Sequence, residues 1–205
     1  MGHVTIETHL CSLVGRAVLQ SLRLNWKTMN QPVKFKSVSK KSTSIVQAST
    51  HGKAAPGVRV AFIQSGWHSD IVNRGRDAFL AEMKRRGVGK SSIDLLEVPG
   101  AFELPLLAKK LVQSGRYAAV VACGFVVNGG IYRHEFVSEA VVSGLMQVGL
   151  ESGVPVLSVV LTPLNFHESD EHQKFFSDHF VVKGTEAARS CMETLAAHAA
   201  LARLA

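Results

Sequence analysis

Four apolar, β-rich runs recur in this chain from Val58 onward, and each leads into a stretch whose apolar residues fall at helical spacing. "VRVAFIQ" (58–64) precedes "SDIVNRGRDAFLAEMKRRG" (69–87), and "SIDLLEV" (92–98) precedes a helical stretch from Phe102 to Ser114. "YAAVVACGFVV" (117–127) precedes a longer one from Ile131 to Ser152, and "VPVLSVVL" (154–161) precedes two more, Ser169–Phe176 and Thr185–Leu204. The third run is apolar on both of its faces, as a central strand covered on both sides requires. Strands alternating with helices of this length need crossover connections, so the spacing predicts an α/β domain: a four-stranded parallel sheet between two helical layers. Ser69 or Asp70 is placed to cap the first helix, Gly87 to close it, and Pro105 is tolerated in the first turn of the second.

Charge divides the chain sharply. Residues 1–57 carry eight Lys or Arg against one acid, Glu7, whereas residues 58–205 carry 15 basic and 15 acidic side chains. The +7 formal charge therefore belongs to the leader, and the neutral domain gains little from neutralising a phosphate backbone, which argues against nucleic acid as the partner. The leader is rich in Ser, Thr and Lys and has weak periodicity. It reads as a disordered extension, or as sequence upstream of a later start such as Met29. Organelle transit peptides share that composition, and His3–Leu24 has the pattern of a short amphipathic helix. "HGKAAPG" (51–57) reads as a linker to a domain spanning 58–205. No apolar run reaches the length of about 18 residues that a membrane span needs. Cys11, Cys123 and Cys191 form neither a disulfide framework nor a zinc spacing, so a reducing, cytoplasmic setting with inert thiols is expected.

In a parallel α/β sheet ligands gather beyond the carboxyl ends of the strands. Four segments stand there: "SGWHSD" (65–70), "VPGAFELP" (98–105), "GFVVNGGIYRH" (124–134) and "LTPLNFHESDEH" (161–172). In the third, Gly129 and Gly130 remove the Cβ atoms that would hold an anion away from the backbone. The amides of a helix start and the permanent charge of Arg133 in the first turn would attract one. Gly-Gly also makes a tight turn without any ligand, and the segment is neither a Walker loop nor a dinucleotide fingerprint. Trp67 and Phe102 offer flat faces, and Glu103 offers a hydrogen-bond acceptor. Each alone is an ordinary packing residue, but together they outline a slot for an aromatic ring. "HESDEH" (167–172) is one residue too long for the zinc motif. On a helix its two imidazoles would point about 140° apart, so no metal is expected there. His172 remains available as a hydrogen-bond donor to an anion.

"VPGAFELP", "GFVVNGG…HEFV" and "SGVPVLSVVLT" resemble, in order and spacing, the 6,7-dimethyl-8-ribityllumazine synthase family of riboflavin biosynthesis. The likeness runs from about Arg59 to Leu195, and "GGIYRHEFV" with "FHESDEH" is similar to the type II branch found in some bacteria. The resemblance implies a flavodoxin-like three-layer sandwich and a transferase that joins 5-amino-6-(D-ribitylamino)uracil to 3,4-dihydroxy-2-butanone 4-phosphate, releasing phosphate and water. It implies no cofactor and no metal, and a homo-oligomer, a pentamer or a decamer of paired pentamers, with active sites between subunits. By the same resemblance Trp67 stacks on the pyrimidine, and Ala101, Phe102 and Glu103 line the ribityl and pyrimidine site. The backbone of Phe125, Val126 and Val127 reads the uracil edge, and the amides of Gly130 and Ile131 face the phosphate.

Three positions depart from the family pattern. Ser158 and His172, which the resemblance places in a neighbouring subunit's site, stand where the family has a ring-covering aromatic and a phosphate-binding arginine, with Gln173 or Lys174 as alternatives to His172 for the phosphate contact. Arg133 stands where the family has its general acid–base histidine. Arginine stays protonated at neutral pH, so Arg133 is expected to stabilise departing phosphate electrostatically rather than to shuttle a proton. His134 is turned about 100° away on a helix and is no substitute, while Glu135 could orient either residue. Two rival readings follow. One is a flavin- or lumazine-binding protein of this fold with little catalytic activity. The other is nucleic-acid binding through the leader.

Overall fold

A computed structural model describes residues 58–204; the leader, with the extension, amphipathic helix, linker and Cys11 expected of it, lies outside the described residues. Four strands alternate with four helices in the order β1 (Val60–Ser65), α1 (Ser69–Arg85), β2 (Ile93–Val98), α2 (Leu104–Gln113), β3 (Ala119–Phe125), α3 (His134–Ser152), β4 (Val156–Leu161) and α4 (Asp170–Leu201). All pairings are parallel, in the order β2-β1-β3-β4, with Phe62 facing Leu95 on one side and Val121 on the other, and Ala122 facing Ser158. The expected three-layer α/β/α sandwich is what forms.

The alternation of side chains along each strand divides the core in two. Val60, Phe62, Val121, Cys123 and Phe125 point into a cluster with Phe79 and Met83 of α1 and Phe180 and Ala188 of α4. Ala61, Ile63, Val120 and Ala122 point the other way, against Leu104 and Ala108 of α2 and Val141 and Leu145 of α3. Every residue of β3 is buried, because both of its faces are covered and both of its edges are paired. At about 25 cal/mol per Å² of apolar surface removed from water, these two clusters are the main source of stability.

Strand order also fixes where a crevice opens. The chain leaves β1 toward β2 on one side and returns to β3 on the other, so neighbouring connections diverge at the carboxyl ends of β1 and β3. A divergence of this kind is where open α/β sheets bind their ligands. Among the described residues no helix is long and apolar enough to cross a membrane.

Four boundaries differ from the sequence expectation. Neither Ser69 nor Asp70 caps α1: His68 does, in the left-handed region at φ 53° and ψ 42°, with its carbonyl accepting from the amides of Ile71 and Val72. Phe102 lies not in α2 but in a single 3-10 turn, Ala101–Glu103, that leads into it. The third helix starts at His134 rather than Ile131, so Arg133 is its extended N-terminal flank and not part of its first turn. Ile131 and Tyr132 are 84% and 85% exposed, and without core contacts their apolar character gives the backbone no reason to coil. Finally, the two expected C-terminal helices are one, α4, running unbroken through Gly184.

Candidate active site

The ends of β1 and β2 are stitched together by backbone bonds. Gly66 donates its N–H to the Val98 carbonyl at 2.8 Å, and Trp67 donates to the Pro99 carbonyl at 3.3 Å. This sets the indole of Trp67 against Gly100, where an added methyl group would lie 3.2 Å from Cζ3. Trp67 is 69% exposed, so most of the ring meets solvent. Glu103 turns back on the same corner, its Oε2 accepting from the Gly100 amide at 2.9 Å, which fixes the carboxylate beside the indole. Phe102 is exposed next to it. The fold therefore brings Trp67, Phe102 and Glu103 to one corner. Ala101 differs, since its side chain belongs to the core and only its backbone is available there.

Beyond β3 the chain changes character within five residues. The Phe125 ring is buried in an aromatic cluster, edge-on to His68 at 5.6 Å, Phe166 at 5.1 Å and Phe180 at 5.4 Å between ring centroids. The N–H of Val126 is engaged by the Leu161 carbonyl at 3.0 Å, which leaves only its carbonyl to meet a ligand edge. Val127 is half-buried. Gly129 and Gly130 then stand in the open, with nothing within 4 Å of where a Cβ would sit, and Gly130 has φ 74°, a conformation that favours glycine. The amides of Gly130 and Ile131 precede the first residue of α3 by several positions. The helix dipole, which falls off within a turn, does not act on them directly as expected from the sequence. The Arg133 guanidinium lies 5.6 Å from the centroid of the Phe136 ring. Glu135 sits with His134, Oε2 to Nδ1 at 3.5 Å.

The β4–α4 connection supplies the third wall. Ser169 caps α4 by accepting the His172 amide, and the amide of His167 donates to His172 Nδ1 at 3.2 Å. His167 precedes α4, so the angular argument for two imidazoles on one helix does not apply: their rings are neighbours, 5.3 Å apart. Among the described residues no group of three or more His, Cys, Asp or Glu is placed to hold a metal ion. With Nδ1 accepting, a neutral His172 carries its proton on Nε2 and presents a donor there. Ser158 is not brought to this corner. It lies three residues before the end of β4, on the sheet edge opposite β2, and its Oγ accepts from the Val160 amide. Trp67 follows β1, and two strand spacings, about 10 Å, separate β1 from β4.

Two residues of this region escaped the sequence reading. His68 links the Trp67 corner to the aromatic cluster through its contacts with Phe125 and Phe166. Asn128 accepts the Phe166 amide on Oδ1 at 2.7 Å. An Asn before Gly-Gly reads as a turn residue, and nothing local points to a partner 38 positions away. Away from the site, burial pushes the Cys123 thiol well above its ordinary range and that of Cys191 up to about 12, so both free thiols are held protonated.

Comparison with known proteins places this chain in a family. A family model for 6,7-dimethyl-8-ribityllumazine synthase matches residues 57–199. The chain is 59% identical over 152 residues to 6,7-dimethyl-8-ribityllumazine synthase 2 of Pseudomonas syringae pv. tomato, covering 74% of this chain and 89% of that one. It is 56% identical over 139 residues to 6,7-dimethyl-8-ribityllumazine synthase of Rhodococcus erythropolis, covering 68% and 90% of the two chains. A third relative, 6,7-dimethyl-8-ribityllumazine synthase 2 of Bradyrhizobium diazoefficiens, is 50% identical over 145 residues, or 71% and 87%. With the four-stranded parallel sheet, the loops at its carboxyl ends and a match over most of the described residues all in agreement, this chain belongs to the 6,7-dimethyl-8-ribityllumazine synthase family.

Proposed function

We propose that this chain condenses 5-amino-6-(D-ribitylamino)uracil with 3,4-dihydroxy-2-butanone 4-phosphate to form 6,7-dimethyl-8-ribityllumazine, releasing phosphate and water. The observation that carries the reading at the level of chemistry is the pairing of two surfaces at the sheet's carboxyl ends. One is an exposed indole beside an anchored carboxylate, Trp67 and Glu103; the other is an open glycine backbone at Gly129 and Gly130. A planar heterocycle fits the first and a phosphate ester the second. The amine of one substrate and the ketone of the other lose water as an imine. Removal of the neighbouring proton expels phosphate from the next carbon, and the ribitylamino nitrogen closes the ring with loss of a second water. Holding the two reactants together contributes up to about 7–11 kcal/mol in favourable cases.

In this assignment Trp67 stacks on the pyrimidine, and Phe102, Glu103 and the Ala101 backbone border it. The carbonyls at Phe125, Val126 and Val127 meet the uracil edge, and the amides of Gly130 and Ile131 with Arg133 take the phosphate. Ser158 stands two strands from Trp67 and outside its corner, and we assign it to a site completed by a neighbouring chain. His172 is assigned to the neighbouring site in the same way. The exposed apolar residues Phe136, Met146 and Leu150 along α3, with Leu106 on α2, support a homo-oligomer, which we take to be a pentamer or a pair of pentamers.

The test is direct. Protein is mixed with both substrates and lumazine absorbance is followed against the spontaneous reaction. A rate above that background is expected. Tight lumazine or flavin binding with no such rate would overturn the assignment in favour of a binding protein.

A further inference from the structure

Phe166 is 5% exposed and joins three loops that end at the site. Its ring lies between His68, next to Trp67, and Phe125 at the end of β3, with centroids 5.6 Å and 5.1 Å away. Its own segment runs on through His167 to His172, whose ring is 6.4 Å from that of Phe166. Its backbone N–H is taken by Oδ1 of Asn128, the residue immediately before Gly129 and Gly130. The donor is a main-chain amide, so the Asn128 atom facing it has to be the oxygen, and the side chain's orientation is settled by chemistry.

We propose that Asn128 is a positioning residue for the condensation. By accepting the Phe166 amide it fixes the height and direction of the glycine segment relative to the Trp67 corner and the His167–His172 segment. The proposal rests on the reaction assigned above. Gly129 and Gly130 have no side chains, and nothing lies within 4 Å of where their Cβ atoms would sit, so the phosphate-facing backbone is only as well placed as the residues flanking it. On the far side, Ile131, Tyr132 and Arg133 are all exposed and lie outside α3. The near side ends in Asn128, half-buried, with a 2.7 Å bond to a buried aromatic. That bond is the mechanical link between the anion-facing backbone and the rest of the site. A misplacement of about 1 Å at a reacting centre can cost about a hundredfold in rate.

The test uses the full chain and a double-mutant cycle on kcat/KM for the phosphate ester, at a temperature where circular dichroism shows each variant folded. Asn128→Ala, and Asn128→Ser, whose side chain is too short to reach Phe166, are each expected to lose about ten- to hundredfold. Asn128→Asp keeps an oxygen on the Phe166 amide but adds a negative charge beside the phosphate-facing backbone, so it is expected to keep kcat within about threefold while raising KM for the phosphate ester. Phe166→Leu is expected to lose activity as well, and combining it with Asn128→Ala to add little, because both act through one link. Losses that simply multiply, an Asn128→Ala or Asn128→Ser enzyme within twofold of the parent, or an Asp variant whose kcat falls as far as that of the Ala variant would overturn the role. A parent chain with no turnover would instead overturn the assigned reaction, and the positioning role with it.

Discussion

Gly184 of α4 rests directly on the backbone of Gly75 in α1, so that a Cβ added at Gly184 would collide with the Gly75 carbonyl. The contact lets the two helices lie close along their length, with Glu82 of α1 reaching Arg189 of α4 a turn and a half further on.

Gly184→Ala should therefore destabilise the fold. In an exposed helix the substitution would gain up to about 1 kcal/mol of helix propensity. Here the methyl meets backbone, which cannot swing aside as a side chain can, and overpacking costs about 1–3 kcal/mol. A lower midpoint in chemical denaturation is expected, and a stabilised variant would show that the helices separate easily.

Glu82 predicts a pH dependence of stability. It is 6% exposed and accepts hydrogen bonds from Arg85, Arg86 and Arg189, which hold its carboxyl far below the usual range. A carboxylate with a depressed folded-state pKa contributes stability above its unfolded value, near about 4.3, and loses it as pH falls toward the folded one. Its arginine partners are partly in solvent, which weakens each pair. Glu82→Gln should thus cost about 1–3 kcal/mol at pH 7, and the gap to the parent should shrink in urea melts at pH 3. A gap that widened with acid would contradict the sign.

At the site, Trp67→Ala should raise KM for the pyrimidine substrate by about two- to tenfold with a smaller effect on the phosphate ester, since an aromatic pair contributes about 0.5–1.5 kcal/mol beyond its buried area. Gly100→Ala is a companion test. Its backbone, at φ −130°, accepts any residue, so its effect would come only from pressing on the indole and on Glu103. It should raise the same KM without loss of fold, and an unchanged KM in both variants would remove Trp67 from the pyrimidine site.

Arg133→Ala should lower kcat by about a hundred- to a thousandfold, the range for losing one preorganised electrostatic partner of a developing charge. Arg133→Lys should recover part of the loss. The guanidinium is exposed and lies 5.6 Å from the centroid of the Phe136 ring. Unchanged turnover in the alanine variant would end the electrostatic role.

His68 is the one non-glycine residue with positive φ among the described residues. Left-handed backbone costs an L-residue about 1–2 kcal/mol, offset here by ring contacts to Phe125 and Phe166. His68→Val, branched at Cβ and without the ring, should destabilise more than His68→Asn, which tolerates the backbone. Thermal melts that rank the two the other way would place the strain elsewhere.

How much of this was legible beforehand divides along a physical line. The four strands, the parallel sheet and the four loops beyond its carboxyl ends follow from patterns of a few residues: apolar runs, helical spacing, and glycine or proline at turns. Those are local properties of the chain, and the family motifs lie within the same loops. Arg133 fell outside its helix because Ile131 and Tyr132 have no core to pack on, a fact about neighbours rather than about sequence spacing. Gly184 continues a helix instead of breaking one because Gly75 waits opposite it, and Asn128 serves Phe166 because the β3 and β4 loops meet. The distance between Ser158 and Trp67 likewise comes from the order in which the strands assemble. Hydrophobic periodicity records which face of an element is buried but not what it is buried against, and so those contacts existed only once the chain had folded.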